Sequence, residues 1–346
     1  IEEVLLSLRN LNYPSLEIFI VDDKSSDRTL EKIYEVKKSF DDWEALTILE
    51  QKENKGKATA LNVALQQVTS KYMLVIDADS YLSKDALSYL LAELTSSSDI
   101  GAVTGRPIVR NRTTLLGKLQ TLEYLSVIDA IKRAQSLFLG AIMTVSGVIV
   151  MYRVEALKEI GGFNTEVMTE DIDVTWRLHR NQWKVKYVPK ALSYILVPEN
   201  LKSLLKQRRR WAVGGVEVLI SNLSWVFKRG EFKYRFLLIE MICSHIWSWF
   251  FLIASYQYFL QMLLNQEFKV SCQIIVIFVL ISFFVFFLGL NNDKSESRLS
   301  LTDKLVFPAY LVAYWFLNLI SALSAELVVL TNQTNKGKWE SPDRGV

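Results

Sequence analysis

Three groups of carboxylates carry the chemistry this chain can offer: Asp22-Asp23, Asp77-Ala78-Asp79, and Glu170-Asp171 behind Thr169. The first two groups each close a short apolar run, LEIFIV and YMLVI. An Asp-x-Asp turn sets two hard oxygen donors side by side. Mg2+ or Mn2+ takes such donors and fills much of its remaining shell with substrate phosphates. There it would neutralise charge building on a departing nucleoside diphosphate. Short motifs of this kind also arise as plain turns or helix caps, and Ser80 and Ser83 stand close by. Asp22 and Asp23 suit the imide N–H of a uracil or a ribose hydroxyl; the competing reading is a turn that sets both near a helix N-terminus. Lys55, Gly56, Lys57 and Asn62 either add contacts to the same nucleotide or form a solvated turn. Glu170-Asp171 suits general-base work, because a sugar hydroxyl must lose its proton as it attacks an anomeric carbon. The competing reading is N-terminal helix capping.

A second constellation lies downstream. Gln207, Arg210 and Trp211, in the run QRRRW, are spaced i, i+3, i+4 and share one helix face. A guanidinium grips a diphosphate through two parallel hydrogen bonds. An indole offers a flat apolar platform for a sugar ring and keeps an N–H to donate. For Trp211 alone, membrane anchoring competes with this reading. The neighbours Lys206, Arg208 and Arg209 read as a solvated face or an anchor at anionic headgroups.

The elements that must position these groups follow from pattern. Strands are expected at Leu16–Val21, Ala45–Leu49, Tyr72–Ile76 and Ile100–Thr104. Helices are expected from Asp27, with Ser25 or Ser26 as cap, and at Lys57–Val68 and Lys84–Ser97. This alternation predicts an open, Rossmann-like α/β sheet with mostly parallel strands. Ligands of such sheets bind beyond the carboxyl ends of the strands, so Asp22, Asp23, Asp77 and Asp79 gather on one rim. Further on come a long helix over Thr113–Leu139, a strand at Val145–Met151, a Gly161-Gly162-Phe163 turn, a helix at Asp171–Arg180 and a strand at Lys184–Tyr187. Asn200–Lys228 reads as an amphipathic, Trp- and Arg-rich stretch able to lie in a membrane interface.

Composition separates two regions. Of 346 residues half are apolar, and 40 basic against 37 acidic residues leave a net charge of +3, too small to imply nucleic acid. The apolar residues concentrate in 236–330. Three membrane spans are expected there, Phe236–Leu264, Val270–Leu290 and Leu305–Leu330, each exceeding the roughly 20 residues a crossing needs. Their polar residues Glu240, His245, Asn318 and Glu326 either line a path through the membrane or, for the two glutamates, sit at the interface. Lys294, Arg298 and Lys304 make the intervening loop cytosolic by charge, and Lys336, Lys338 and Arg344 do the same for the tail, which conflicts with three crossings. Cys243 and Cys272 read as buried small residues. The chain opens at Ile1 inside a helical stretch, EEVLLSLRNL, and reads as a fragment lacking an N-terminal strand. The expected division is 1–198 catalytic, 199–235 interfacial, 236–330 membrane-spanning and 331–346 tail.

The ordered set DD, DAD, TED and QRRRW resembles the processive family 2 glycosyltransferases, which include cellulose, chitin, hyaluronan and poly-N-acetylglucosamine synthases. The likeness runs over nearly the whole chain. The tail Trp339-Glu340-Ser341-Pro342-Asp343-Arg344-Gly345 is similar to the ending of the poly-β-1,6-N-acetylglucosamine synthases. The resemblance implies a GT-A catalytic domain on the cytoplasmic side of a multi-pass membrane protein. It implies inverting transfer from UDP-N-acetylglucosamine, with Mg2+ or Mn2+, onto a growing polysaccharide. It assigns Asp22 and Asp23 to uridine, Asp77 and Asp79 to diphosphate and metal, and Asp171 to the base. Gln207, Arg210 and Trp211 go to the acceptor entrance and diphosphate, while Ser146, Gly147, Gly162 and Phe163 shape the acceptor pocket. Trp339 and Arg344 are expected to gate the nucleotide from a cytosolic tail, and a small accessory membrane subunit is an expected partner. A hyaluronan-, chitin- or cellulose-type synthase, a non-processive transferase to a lipid acceptor, and a non-catalytic membrane scaffold are the alternatives.

Overall fold

The computed structural model describes residues 1–11, 13, 15–40, 44–227, 232–265, 272–293, 296–311 and 315–331. Two compact units result: Ile1–Asn111 with Lys132–Val197, and Arg112–Ile131 with the described part of Pro198–Thr334. In chain order the first unit holds α1 (Glu2–Arg9), β1 (Ile18–Asp22), α2 (Thr29–Ser39), β2 (Leu46–Glu50), α3 (Lys57–Gln67), β3 (Tyr72–Ile76), β4 (Tyr81–Leu82), α4 (Ala86–Thr95) and β5 (Ile100–Val109). The chain then gives α5 (Leu115–Glu123) to the second unit and returns through α6 (Asp129–Ala134). β6 (Ile149–Arg153), α7 (Val154–Glu159), α8 (Glu170–Arg180) and β7 (Lys184–Ile195) complete the first unit.

The sheet is mixed, which corrects the expectation of mostly parallel strands. β1 and β2 pair in parallel, and a five-stranded sheet runs β3-β6-β5-β7-β4. Within it only β5 and β7 are parallel; β3·β6, β5·β6 and β4·β7 are antiparallel. The physical reason is the excursion between β5 and β6. The chain leaves the sheet, makes α5 and α6, and re-enters reversed. A strand buried on both faces has the same apolar signature in either direction. β5 is that strand: all ten of its residues are buried.

Alternation along the strands feeds two cores. Ala102, Val150 and Tyr152 face one cluster with Leu65 of α3 and Val174 of α8, while Val103, Ile149 and Met151 face the other with Leu87, Leu90 and Leu94 of α4. The first core fixes α3 and α8, whose N-termini carry Lys57 and Glu170-Asp171. A separate core of Leu5, Ile18, Ile33, Val36 and Leu46 seats α1 and α2 on the β1–β2 pair.

Helix starts depart from expectation in one place. α2 begins at Thr29, not at a serine cap; Asp27 accepts the Thr29 N–H at 2.9 Å, and Ser25 is turned toward Asp22. The expected single helix over Thr113–Leu139 is instead interrupted by π-helical turns at Tyr124–Ile128 and Gln135–Leu139. Such turns insert one residue without changing the apolar pattern, so periodicity does not reveal them.

The second unit continues with α9 (Leu201–Asn222), α10 (Phe232–Asn265), α11 (Cys272–Asp293), α12 (Leu301–Leu305), α13 (Phe307–Ala309) and α14 (Trp315–Leu330). Asn200 caps α9 by accepting the Ser203 N–H at 2.8 Å. α14 packs along α9. Among the described residues one helix, Phe232–Leu264, is long and apolar enough to cross a membrane, and most of its side chains are exposed. In the other two expected spans, α11 covers Cys272–Asp293, and within Leu305–Leu330 a turn at Val306 precedes α13, while α14 covers Trp315–Leu330. Pro308 at the start of α13 removes a backbone donor, which suits a helix beginning. Cys243 is exposed, not buried, because α10 turns this face outward; the Cys272 side chain lies outside the described residues.

Candidate active site

The loop after β3, the loop before β6 and the N-termini of α3 and α8 converge on one lysine. Lys57, first residue of α3, places its Nζ 2.6 Å from Asp77 Oδ1, 3.1 Å from Glu170 Oε1 and 3.3 Å from the Gly147 carbonyl. Burial works against the ammonium charge, but the carboxylates of Asp77, Glu170 and Asp171 outweigh it and hold the Lys57 pKa well above its ordinary value. Glu170 is buried and faces this cation.

Asp171, next on α8, has both oxygens placed by backbone. Oδ2 accepts the Gly147 N–H at 3.2 Å and Oδ1 accepts the Ile172 N–H at 2.9 Å. The preceding Thr169 makes no side-chain cap bond. The acidic pair is thus turned toward Lys57 and Gly147, and three carboxylates in the first turn benefit from the helix dipole. Burial, together with the charges of Asp171 and Glu170, pushes the Tyr152 phenol well above its usual pKa, so it stays neutral.

Gly147 is held by residues that no sequence pattern singles out. Thr104 of β5 donates to the Ile149 carbonyl at 2.8 Å and accepts the Ser146 N–H at 2.9 Å. The buried Lys132 donates to Ser146 Oγ. No motif marks Thr104 or Lys132, because the contacts span 42 and 14 residues. Gly147 is closely packed: a Cβ there would lie 3.2 Å from Lys57 Nζ and 3.3 Å from Asp171 Oδ2, so those groups would have to yield by a few tenths of an ångström.

Asp22 and Asp23 divide their work. Buried Asp22 accepts the Ser25 hydroxyl at 2.6 Å and the Ser25 N–H at 3.2 Å, closing the turn in which Lys24 takes φ +57°. Asp23 accepts the Lys55 N–H at 2.8 Å, the Gly56 N–H at 2.7 Å and the Gln51 amide at 2.9 Å. Lys55 and Gly56 are therefore not a free solvated turn; they tie the start of α3 to the end of β1. Asn62 also serves the framework. Its amide donates to the Phe163 carbonyl at 2.7 Å and accepts the Phe163 N–H at 2.8 Å. Gly162 has φ +75°, and a Cβ there would strike the Asn62 oxygen at 2.6 Å, so this turn admits only glycine. The Phe163 ring is buried edge-on against Tyr152.

Asp77 and Asp79 stand on one turn at the carboxyl end of β3, closed by the Ser80 N–H on the Asp77 carbonyl, with Ser80 Oγ 3.2 Å from Asp79. Two carboxylates on such a turn fit a hard divalent cation. Among the described residues no group of three or more His, Cys, Asp and Glu could hold an ion by itself, so an ion here would need oxygens from a bound diphosphate.

A family model described as "Glycosyltransferase like family 2" matches residues 1–214, well over half of the chain. The chain belongs to glycosyltransferase family 2. Among curated proteins this family 2 glycosyltransferase is similar to a poly-β-1,6-N-acetyl-D-glucosamine synthase of Staphylococcus epidermidis, 36% identical over the whole chain and 84% of that protein. It is 35% identical to the synthase of the same name from Staphylococcus aureus strain COL, with equal coverage. Among solved structures its fold is similar to a mannosyltransferase from Pyrobaculum calidifontis in complex with GDP-Man and Mn2+, with TM-score 0.64 and 20% identity over 96% of this chain and 84% of that one. The likeness supports a GT-A glycosyltransferase fold with a mixed sheet.

In the second unit, α9 carries the QRRRW run. Gln207 is buried and its Oε1 has no hydrogen-bond partner among the described residues. Arg210 and Trp211 are half-buried. Lys206 and Arg209 are exposed, as a solvated face requires. Arg208 is not: it is buried and forks onto Glu123 of α5, with Nη1–Oε1 at 3.0 Å and Nη2–Oε2 at 2.6 Å. The helix-face reading fails there because α5, far away in sequence, supplies a buried carboxylate. Trp339 and Arg344 lie outside the described residues.

Proposed function

We propose that this glycosyltransferase polymerises N-acetylglucosamine from UDP-N-acetylglucosamine into a β-1,6-linked polysaccharide at a cell membrane. The observation that carries the reading is the convergence of Asp77, Glu170 and the Gly147 carbonyl on Lys57, with the Gly147 N–H in turn holding Asp171. In this reading Asp171 is the general base. Its Oδ2, oriented by the Gly147 N–H, takes the proton of the attacking acceptor hydroxyl. Glu170 keeps Lys57 charged, and Lys57 offers an ammonium to the sugar diphosphate in exchange for Asp77.

Asp77 and Asp79 would hold Mg2+ or Mn2+. Once bound, that ion supplies a Lewis acid for the leaving diphosphate. Asp23, and Asp22 behind it, shape the uridine end. Ser146, Gly147, Gly162 and Phe163 frame the acceptor side. Gln207 presents its unpartnered oxygen to an acceptor hydroxyl, Arg210 grips diphosphate, and Trp211 is the sugar platform. The names of the Staphylococcus relatives support the sugar and the linkage. The outward-facing apolar surface of α10 supports contact with a bilayer. A multi-pass arrangement with the catalytic unit in the cytoplasm, a small accessory membrane subunit, and a gating role for Trp339 and Arg344 complete the reading.

The test supplies membranes carrying the protein with labelled UDP-N-acetylglucosamine and Mg2+, then digests the product with a β-1,6-specific hexosaminidase. The expected result is a long polymer that disappears on digestion. A polymer that resists digestion overturns the linkage and moves the reading to a chitin- or hyaluronan-type synthase. Absence of polymer, with single-sugar transfer to lipid instead, overturns processivity.

A further inference from the structure

The middle of the QRRRW run holds a residue that the motif leaves unspecified. Arg208 is buried, and its guanidinium forks onto Glu123, each side chain only 7% exposed. The same guanidinium lies over the Trp211 ring, 4.5 Å from its centroid. Glu123 accepts a further hydrogen bond from the Asn318 amide of α14 at 3.3 Å. It also ends α5 at the point where the chain passes into the π-helical turn Tyr124–Ile128.

A buried ion pair is a weak source of stability, since desolvation consumes much of the attraction. It does impose direction. A planar fork bound through both nitrogens has one orientation, and a guanidinium stacked on an indole passes that orientation on. We infer that Glu123, Arg208 and Asn318 form a positioning network that fixes the Trp211 indole for the acceptor sugar, with one arm on the apolar helix α14. Arg208 and Glu123 act through Trp211 and touch no substrate. The inference rests on the reading of Trp211 as the acceptor platform. It adds a physical link between that platform and an apolar helix, so displacement of α14 alters how the acceptor is held.

The experiment measures KM for a β-1,6-linked N-acetylglucosamine oligosaccharide, KM for UDP-N-acetylglucosamine, product length and melting temperature of the purified protein. The key variant is the pair Glu123→Leu with Arg208→Met, which replaces the ion pair by apolar side chains of similar volume, with the melting temperature reading whether the fold persists. The expected result is an acceptor KM raised about tenfold and shorter product, with donor KM within about twofold, the scale of losing one cation–π contact in a desolvated site. Arg208→Lys keeps the charge and loses the planar stack; it is expected to shift the acceptor KM in the same direction by about threefold. It decides the matter alone should the double variant not fold.

Trp211→Ala separates the two ideas. Unchanged acceptor KM in Trp211→Ala overturns the platform reading itself. A raised acceptor KM in Trp211→Ala beside a wild-type value in the double variant overturns the network and leaves the platform standing. With both intact, adding the double variant to Trp211→Ala produces no further rise, because the two changes act through one side chain.

Discussion

Gly147→Ala perturbs the candidate active site by sterics alone. Gly147 is not among the glycines with positive φ, so alanine fits its backbone without strain. The added methyl would stand 3.2 Å from Lys57 Nζ and 3.3 Å from Asp171 Oδ2, and 3.6 Å from Asp171 Cβ. Relief requires the Asp171 carboxylate and the ammonium to retreat by about 0.2–0.3 Å, given ordinary contacts of roughly 3.5 Å or more. A misplacement of about 1 Å costs about 100-fold in rate, or ~2.7 kcal/mol. Taken as proportional, the alanine shift costs about 0.5–0.8 kcal/mol and lowers kcat about two- to fourfold. Gly147→Val adds two further methyls and drives the retreat toward about 1 Å, so its loss is about 100-fold. UDP release measured at saturating donor reads both variants, and a thermal melt checks that the fold persists. A valine variant with wild-type kcat and wild-type melting temperature refutes the placement of Gly147 against the base. A loss in both variants that tracks only the melting temperature refutes it equally.

Further outcomes follow from the same geometry. Asp171→Asn removes the base and, with one acceptor oxygen, keeps only one of the bonds from the Gly147 and Ile172 N–H groups; kcat for UDP release falls by about 10²–10⁴-fold, more than any drop in melting temperature accounts for. Lys57→Met leaves Asp77 and buried Glu170 without their shared cation; it raises the KM for UDP-N-acetylglucosamine and lowers the melting temperature. Because the Lys57 pKa is raised above its ordinary 10.5, its stabilisation is fully present below that value and is lost only as pH rises through the folded pKa. Melting temperatures from about pH 6 to about pH 9 therefore show no loss owing to Lys57, and a fall across that range that Lys57→Met abolishes would contradict the pairing. Asn62→Ala removes both bonds to the Phe163 backbone and costs about 1–3 kcal/mol, read as a lower melting temperature with donor KM unchanged. Removing divalent ions with a chelator is expected to stop UDP release, and adding back Mg2+ or Mn2+ to restore it.

Much of the site is legible in the sequence because its residues sit where short-range pattern is decisive. Asp23, Asp77 and Asp79 follow apolar runs, and a run of five or six apolar residues closed by an acid reads as a strand and its exit turn. Glu170-Asp171 is legible as a helix start by the same logic. The spacing i, i+3, i+4 suffices to place Gln207, Arg210 and Trp211 on one face of α9, with no help from tertiary contacts. Strand direction is not legible. β6 pairs antiparallel on both sides, and direction is set by how the α5–α6 excursion returns, which leaves no trace in the apolar period of Ile149–Arg153. The start of α13 is half legible: Pro308 marks a helix beginning, but composition alone runs the apolar stretch on from Leu305 without the turn at Val306.

Residue type and chain order settle which side chains are on offer and which local elements present them: acids at strand ends, a lysine at the head of α3, and a QRRRW face on α9. Which of them meet is settled only when the chain has folded. The union of Lys57 with Asp77 and Glu170 closes separations of 20 and 113 residues, and the fork of Arg208 on Glu123 closes 85. Local propensity acts over a turn or two of chain. Contacts at these separations exist only because burying the apolar faces of α3, α8 and the sheet, and in the second unit those of α5 and α9, brings the polar ends of those elements together. Buried charges then select their partners, since an unpaired ion in such a place costs more than any local preference can return.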